Sequence, residues 1–111
     1  HMFCKQADIV YRELMPGIEV RTLVHGGKTH MVRYRLKKGS QLPEHAHPHE
    51  QTGFLVSGRI RLHVEDRVLD AGPGDSWCIA GNETHRADVL EDAVAVEVFS
   101  PVREDFLQAE K

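Results

Sequence analysis

The stretch GSQLPEHAHPHEQTGFLVSG, Gly39 to Gly58, packs three histidines, a glutamate and a glutamine into His45 to Gln51. In an extended chain alternate side chains share a face, so His45 and His47 point the same way. Two imidazoles so placed can converge on one metal ion; a pair of solvated loop histidines is the plainer alternative. Pro48 bends the chain, which leaves the facing of His49 and Gln51 open. From Gln51 to Ser57 the stretch reads as a strand that ends at Gly58.

Outward from that stretch, short apolar runs recur between turn signals, the pattern of an all-β chain. Val20 to Val24 precedes Gly26-Gly27. Thr29 to Leu36 alternates Val32, Tyr34 and Leu36 with charged residues, and Lys37 to Ser40 turns the chain. Ile60, Leu62 and Val64 alternate up to a hairpin turn at Glu65-Asp66. Gly72-Pro73-Gly74 punctuates, and Ser76 to Ala80 is a further strand. Arg86 to Leu90, a turn at Glu91-Asp92, and Ala93 to Phe99 complete the β region. Only Arg103 to Lys111, behind Pro101, reads as a short helix. So many short strands predict a sandwich or barrel, because an open sheet would expose its edges.

Composition narrows the function classes. At 111 residues, residues 3–111 read as one domain, with His1-Met2 as a tag remnant plus the start methionine. The net charge is −3 and no Lys/Arg cluster marks a nucleic-acid footprint. No apolar run is long enough to cross a bilayer. Cys4 and Cys78 lack ligand or redox spacing; Cys78, within Trp77-Cys78-Ile79, reads as a buried small hydrophobe. A reduced, cytoplasmic protein is the default expectation.

A second segment, GPGDSWCIAGNETHRAD, carries His85 among turn residues. Together the two segments resemble the paired motifs of the cupin superfamily. The first motif, G-x5-H-x-H-x3/4-E-x6-G, is matched by Gly39, His45, His47, Gln51 and Gly58. The second, G-x5-P-x-G-x2-H-x3-N, is matched in spacing by Gly74, Ala80, Asn82, His85 and Val89. Ala80, Asn82 and Val89 depart from the usual residues, as does Gln51. The resemblance implies a small antiparallel cupin barrel (a jelly roll) with a short C-terminal helix. It also implies that His45, His47, Gln51 and His85 hold one divalent transition metal at its mouth. His63 reads as solvent-facing, and His25 and His30 sit near turns without ligand spacing. His49 reads first as a solvated loop residue, with a partner to a ligand or a place in a substrate site as alternatives.

Gln51 replaces a carboxylate by a neutral amide. The charge of a bound ion is then undiminished, which favours Lewis-acid chemistry over a dioxygenase with a Glu ligand. Zn, Ni, Fe(II) and Mn all suit such a set. A third stretch, VAVEVFSPVREDFLQ from Val94 to Gln108, resembles the C-terminal end of the pectin degradation protein family. That family also carries His-Glu-Gln-Thr, here His49 to Thr52. On strand parity Glu97 and Phe99 share a face opposite Val94, Val96 and Val98, which read as the core side. Outer-strand solvation for Glu97, core packing for Phe99 and pairing of Arg103 with Glu104 or Asp105 are the plain alternatives.

The resemblance implies a metal-dependent enzyme that opens the ring of 4,5-unsaturated monouronates, with Glu97, Phe99 and Arg103 as catalytic residues. It further implies a small sugar-acid substrate and a homodimer. A non-catalytic sugar- or effector-binding cupin and a metallo-cupin dioxygenase are the rivals, since the fold is common to all three.

Overall fold

The computed structural model describes residues 2–111. After a short 3-10 turn at Gln6–Asp8 come β1 (Arg12–Met15), β2 (Ile18–His25), β3 (His30–Leu36) and β4 (Gln41–His45). They are followed by β5 (Glu50–Val64), β6 (Arg67–Ala71), β7 (Ser76–Ile79), β8 (His85–Ser100) and α1 (Glu104–Ala109). All pairings are antiparallel. The expected barrel of strands with a short C-terminal helix is the fold observed.

Two long strands organise it. Glu50 to Ser57 of β5 pairs with β7 and with the second half of β8, which continues into β3, β2 and β1. Arg59 to Val64 pairs with β6 and with the first half of β8, which carries β4 on its other side. Each long strand therefore belongs to both sheets and bends between them. The expected chain breaks at Gly58 and at Glu91-Asp92 are these bends. The register shifts there, Gly58 adopts φ of +87°, and a side chain at Gly58 would overlap the backbone of Asp92 and Ala93. A bulge turns the strand without reversing it.

Between the sheets lie Ile18, Val20, Val32, Tyr34, Leu36, Leu55 and Phe99 from one side. Ile60, Leu62, Val64, Ala87 and Val89 come from the other, each large aliphatic chain contributing about 1.5–3 kcal/mol on burial. On β8 the core face is the reverse of the expected one. Ala93, Ala95, Glu97 and Phe99 point inward, while Val94, Val96 and Val98 lie half-buried on the outer face. Cys78 is likewise exposed, because Trp77 and Ile79 take the inward positions of β7.

Candidate metal centre

The first ligand stretch is only partly a strand. His45 ends β4, His47 lies in the loop at 46–49, and Gln51 is the second residue of β5. His85 opens β8 directly opposite His45 in register. Convergence thus comes from a strand end and a loop rather than from simple alternation. The ring centroids of His45 and His85 stand 4.2 Å apart and those of His47 and His85 5.0 Å. One ring nitrogen from each of the three lies within 4.8 Å of the others.

Backbone carbonyls fix the tautomers. His45 Nδ1 lies 2.8 Å from the Pro43 carbonyl, His47 Nδ1 3.1 Å from that of His49, and His85 Nδ1 2.8 Å from that of Glu83. A carbonyl only accepts, so each Nδ1 carries the proton and each Nε2 presents a lone pair. His47 Nε2, His85 Nε2 and Gln51 Oε1 are buried without a hydrogen-bond partner among the described residues. An orphaned acceptor is costly unless something electropositive completes it. The cluster fits a divalent metal, with three imidazoles and one amide oxygen as the donor set. Burial, reinforced by Arg103 and the neighbouring histidines, pushes the His47 imidazole down to about 4, and burial also lowers that of His85. Neither proton competes for the lone pairs at neutral pH.

The loops around the histidine cluster explain one departure from the motif. Asn82 has φ of +67°, the left-handed conformation in which asparagine is the most tolerant residue after glycine. Its backbone N–H donates to the His47 carbonyl at 2.7 Å, tying the two ligand loops together. His49 is half-buried rather than solvated: its carbonyl orients His47, and its ring meets Phe99 edge-on at 6.4 Å. His63 does point away from the core, but it is bound to Asp88 at 3.1 Å.

Gln51 also reaches Glu97. Its Nε2 donates to Glu97 Oε2 at 2.5 Å, and Trp77 Nε1 donates to the same oxygen at 3.3 Å. Trp77, Gly53 and Glu97 stand in one cross-strand row, and a side chain at Gly53 would overlap the indole. The missing side chain is what lets Trp77 lie across Gly53 to the carboxylate. Glu97 is only 8% exposed, and burial raises its carboxyl to about 7 against the opposing effect of these hydrogen bonds.

Glu97 lines a cavity of about 200 Å³ together with His45, His47, Gln51, His85 and Phe99. Arg103, Tyr34, Asp105 and Phe106 are also in its wall. The Arg103 guanidinium lies 5.0 Å from the Phe99 ring centre and 4.1 Å from that of Phe106, and pairs with Asp105 at 2.8 Å. Two of the three plain alternatives for this tail therefore hold, since Phe99 is core, 1% exposed, and Arg103 does pair with Asp105, whereas Glu97 is buried rather than solvated. A wider groove of about 790 Å³ between the N-terminal turn, β2 and α1 gathers no comparable donor set. Trp77 and Tyr34 are the site residues that sequence reasoning missed. The one sequence signal for Trp77 was its alternation with Cys78 on a short strand; its pairing with Gly53 comes from the structure.

The family model described as a cupin domain matches residues 32–101, more than half of the chain. The chain belongs to the cupin family. This cupin is 29% identical over 99 residues to the pectin degradation protein KdgF of Dickeya dadantii, covering 87% of this chain and 90% of that one. It is 28% identical over 102 residues to the H2HPP isomerase of Bacillus subtilis, covering 90% of this chain but only 43% of that protein. The structure of KdgF from Halomonas sp. superposes with a TM-score of 0.89 at 27% identity, over 93% of this cupin and 97% of that chain. An RmlC-like cupin from Shewanella frigidimarina matches with a TM-score of 0.91 over 96% of both chains, at 24% identity. The latter bears on the fold alone. No helix among the described residues is long and apolar enough to cross a membrane.

Proposed function

We propose that this cupin opens the ring of 4,5-unsaturated monouronates, giving the linear 5-keto-4-deoxyuronate, and that it works as a homodimer. The observation that carries the reading is the double engagement of Gln51. Its Oε1 is buried without a protein partner in a residue that lines the histidine cavity, while its amide N–H holds Glu97 at the wall of the same cavity as Arg103. A Lewis-acid donor set, a buried carboxyl and a cation thus share one small space. The likeness to KdgF adds the substrate class.

The reaction is an isomerisation and needs no co-reactant. The anomeric hydroxyl loses its proton, the bond between C1 and the ring oxygen breaks to leave an aldehyde, and the ring oxygen becomes the C5 ketone as C4 gains a proton. Glu97 Oε1, without a protein hydrogen bond, takes the hydroxyl proton and returns one to C4. Arg103 uses Nε and Nη2 on Asp105, which leaves Nη1 to hold the substrate carboxylate. Phe99 and Phe106 close the wall and exclude water. His45, His47, Gln51 and His85 would hold a divalent ion, which when bound would supply positive charge for stabilising enolate oxygen.

The test is turnover. Purified protein should consume unsaturated galacturonate catalytically, seen as loss of the enol-ether absorbance, and should carry about one transition metal per chain. Replacing His47 and His85 together by Ala should abolish both. Saturable binding without turnover would favour an effector-binding cupin, and full metal content in the double variant would remove the centre as described.

A further inference from the structure

Four polar residues are buried among the described ones: Gln51, His85, Glu97 and His30. The first three belong to the cavity. His30, 0% exposed, does not line it, yet both of its ring nitrogens are engaged. The Arg103 backbone N–H donates to His30 Nδ1 at 3.0 Å, and His30 Nε2 lies 2.7 Å from Thr22 Oγ1. An N–H donor demands a lone pair on Nδ1, so the imidazole is neutral with its proton on Nε2, donated to the threonine hydroxyl.

Thr22 serves a second purpose. Its backbone N–H donates to Glu110 Oε2 at 3.0 Å. Arg103 and Glu110 flank α1 at its two ends, so the Thr22–His30 pair ties both ends of the helix to β2 and β3. This anchorage matters because α1 has six residues and no side-chain cap from Arg103, far too short to hold its own position. The His30 ring also meets Phe99 and Phe106 edge-on at 6.4 and 6.3 Å, the same two rings over which the Arg103 guanidinium lies.

We infer that His30 is a positioning residue for Arg103: its neutral ring fixes the Arg103 amide and the paired aromatic platform, and so aims the guanidinium at the carboxylate of a bound sugar acid. The inference rests on the reading of Arg103 as the group that holds that carboxylate. A protonated Nδ1 would face the Arg103 N–H donor to donor and release the segment. The charged or titratable groups facing the ring are His25 from β2 and Arg103, Asp105 and Glu110 from the helical segment; β8 contributes the neutral Phe99. Burial is the largest influence and keeps the ring neutral to lower pH than an ordinary histidine, against the opposing pull of Glu110.

Calorimetric titration with D-galacturonate, whose carboxylate is the group to be held, tests the inference on four forms of the metal-loaded protein. These are the parent, His30→Phe, Arg103→Ala and the double variant. His30→Phe keeps a ring but loses the acceptor, and should weaken binding about tenfold with metal content unchanged. In the Arg103→Ala background the same change should have no further effect, a non-additivity that a general loss of packing would not produce. A fifth form, His30→Asn, which restores an acceptor near Nδ1, should recover most of the affinity. If Arg103→Ala weakens binding and His30→Phe does not, or if the two losses simply add, the role of His30 is overturned and Arg103 stands. If Arg103→Ala leaves binding untouched, the reading of Arg103 falls and the role of His30 with it. Should His30→Phe fail to fold, nitrogen-detected NMR of the parent decides: a protonated Nδ1 at neutral pH overturns the inference.

Discussion

At the scale of single residues, the site turns on which oxygen of Glu97 is occupied. Gln51 and Trp77 both donate to Oε2, leaving Oε1 without a protein hydrogen bond in a residue that lines the cavity. Glu97→Gln can place its amide oxygen where Oε2 now sits, keeping both hydrogen bonds and losing only the capacity to carry a proton. Activity should fall about 10²- to 10⁴-fold, mainly in kcat, with metal content and thermal midpoint nearly unchanged. Parental turnover in this variant would place the proton carrier elsewhere. The same geometry explains why an amide stands at position 51. In Gln51→Glu the N–H donor is replaced by an oxygen, setting two carboxyl groups against each other at hydrogen-bond distance. An added negative charge would also weaken any bound electrophile. That variant should keep its metal and lose turnover; equal or faster ring opening would show that neutrality at this position is not what matters.

At the scale of elements, β5 and β8 do the work of joining two sheets, and each does so through a bend. Gly58 is the tighter of the two constraints, combining a left-handed backbone with close approach to Asp92 and Ala93. Gly58→Ala should cost roughly 2–4 kcal/mol, from left-handed strain plus overpacking, read as a lowered midpoint in chemical denaturation. A loss below half a kcal/mol would mean that the bend relaxes freely. Here the sequence was ambiguous for a physical reason: glycine and Glu91-Asp92 signal a local departure from straight strand, whether the chain then reverses or only bends. Strand β4 escaped notice because Pro43 and Glu44 carry little β preference. The inverted face of β8 has a similar origin. Valines outside and alanines inside contradict simple hydrophobic alternation; Ala95 stands in one cross-strand row between Tyr34 and Leu55, whose bulk fills the core beside it. The clustering of His45, His47 and His85 was legible because motif spacing survives such irregularities, whereas the hydrogen bonds of Trp77, Tyr34's place in the wall and the anchoring of α1 by His30 depend on contacts between distant strands.

At the scale of the whole molecule, the unexplained surface is the outer face that the β8 valines share with their neighbours. Val96 pairs across to Phe54, Val98 to Thr52 and Met31, and Val56 extends the same face of β5. Phe54 and Val56 are 48% and 49% exposed, and Met31 36%. Single exposed apolar residues are ordinary, but a contiguous sheet face of them marks an association surface. In the proposed homodimer this face would meet its own copy, since a two-fold contact sets one self-complementary patch against itself. Phe54→Glu should then convert a dimer to a monomer in sedimentation analysis. The change lies outside the barrel, on the face opposite Gly53 and Trp77, so the metal content should stay at the parental level. A parent that sediments as a monomer at micromolar concentration, or a variant that stays dimeric, would assign the patch to something other than self-association.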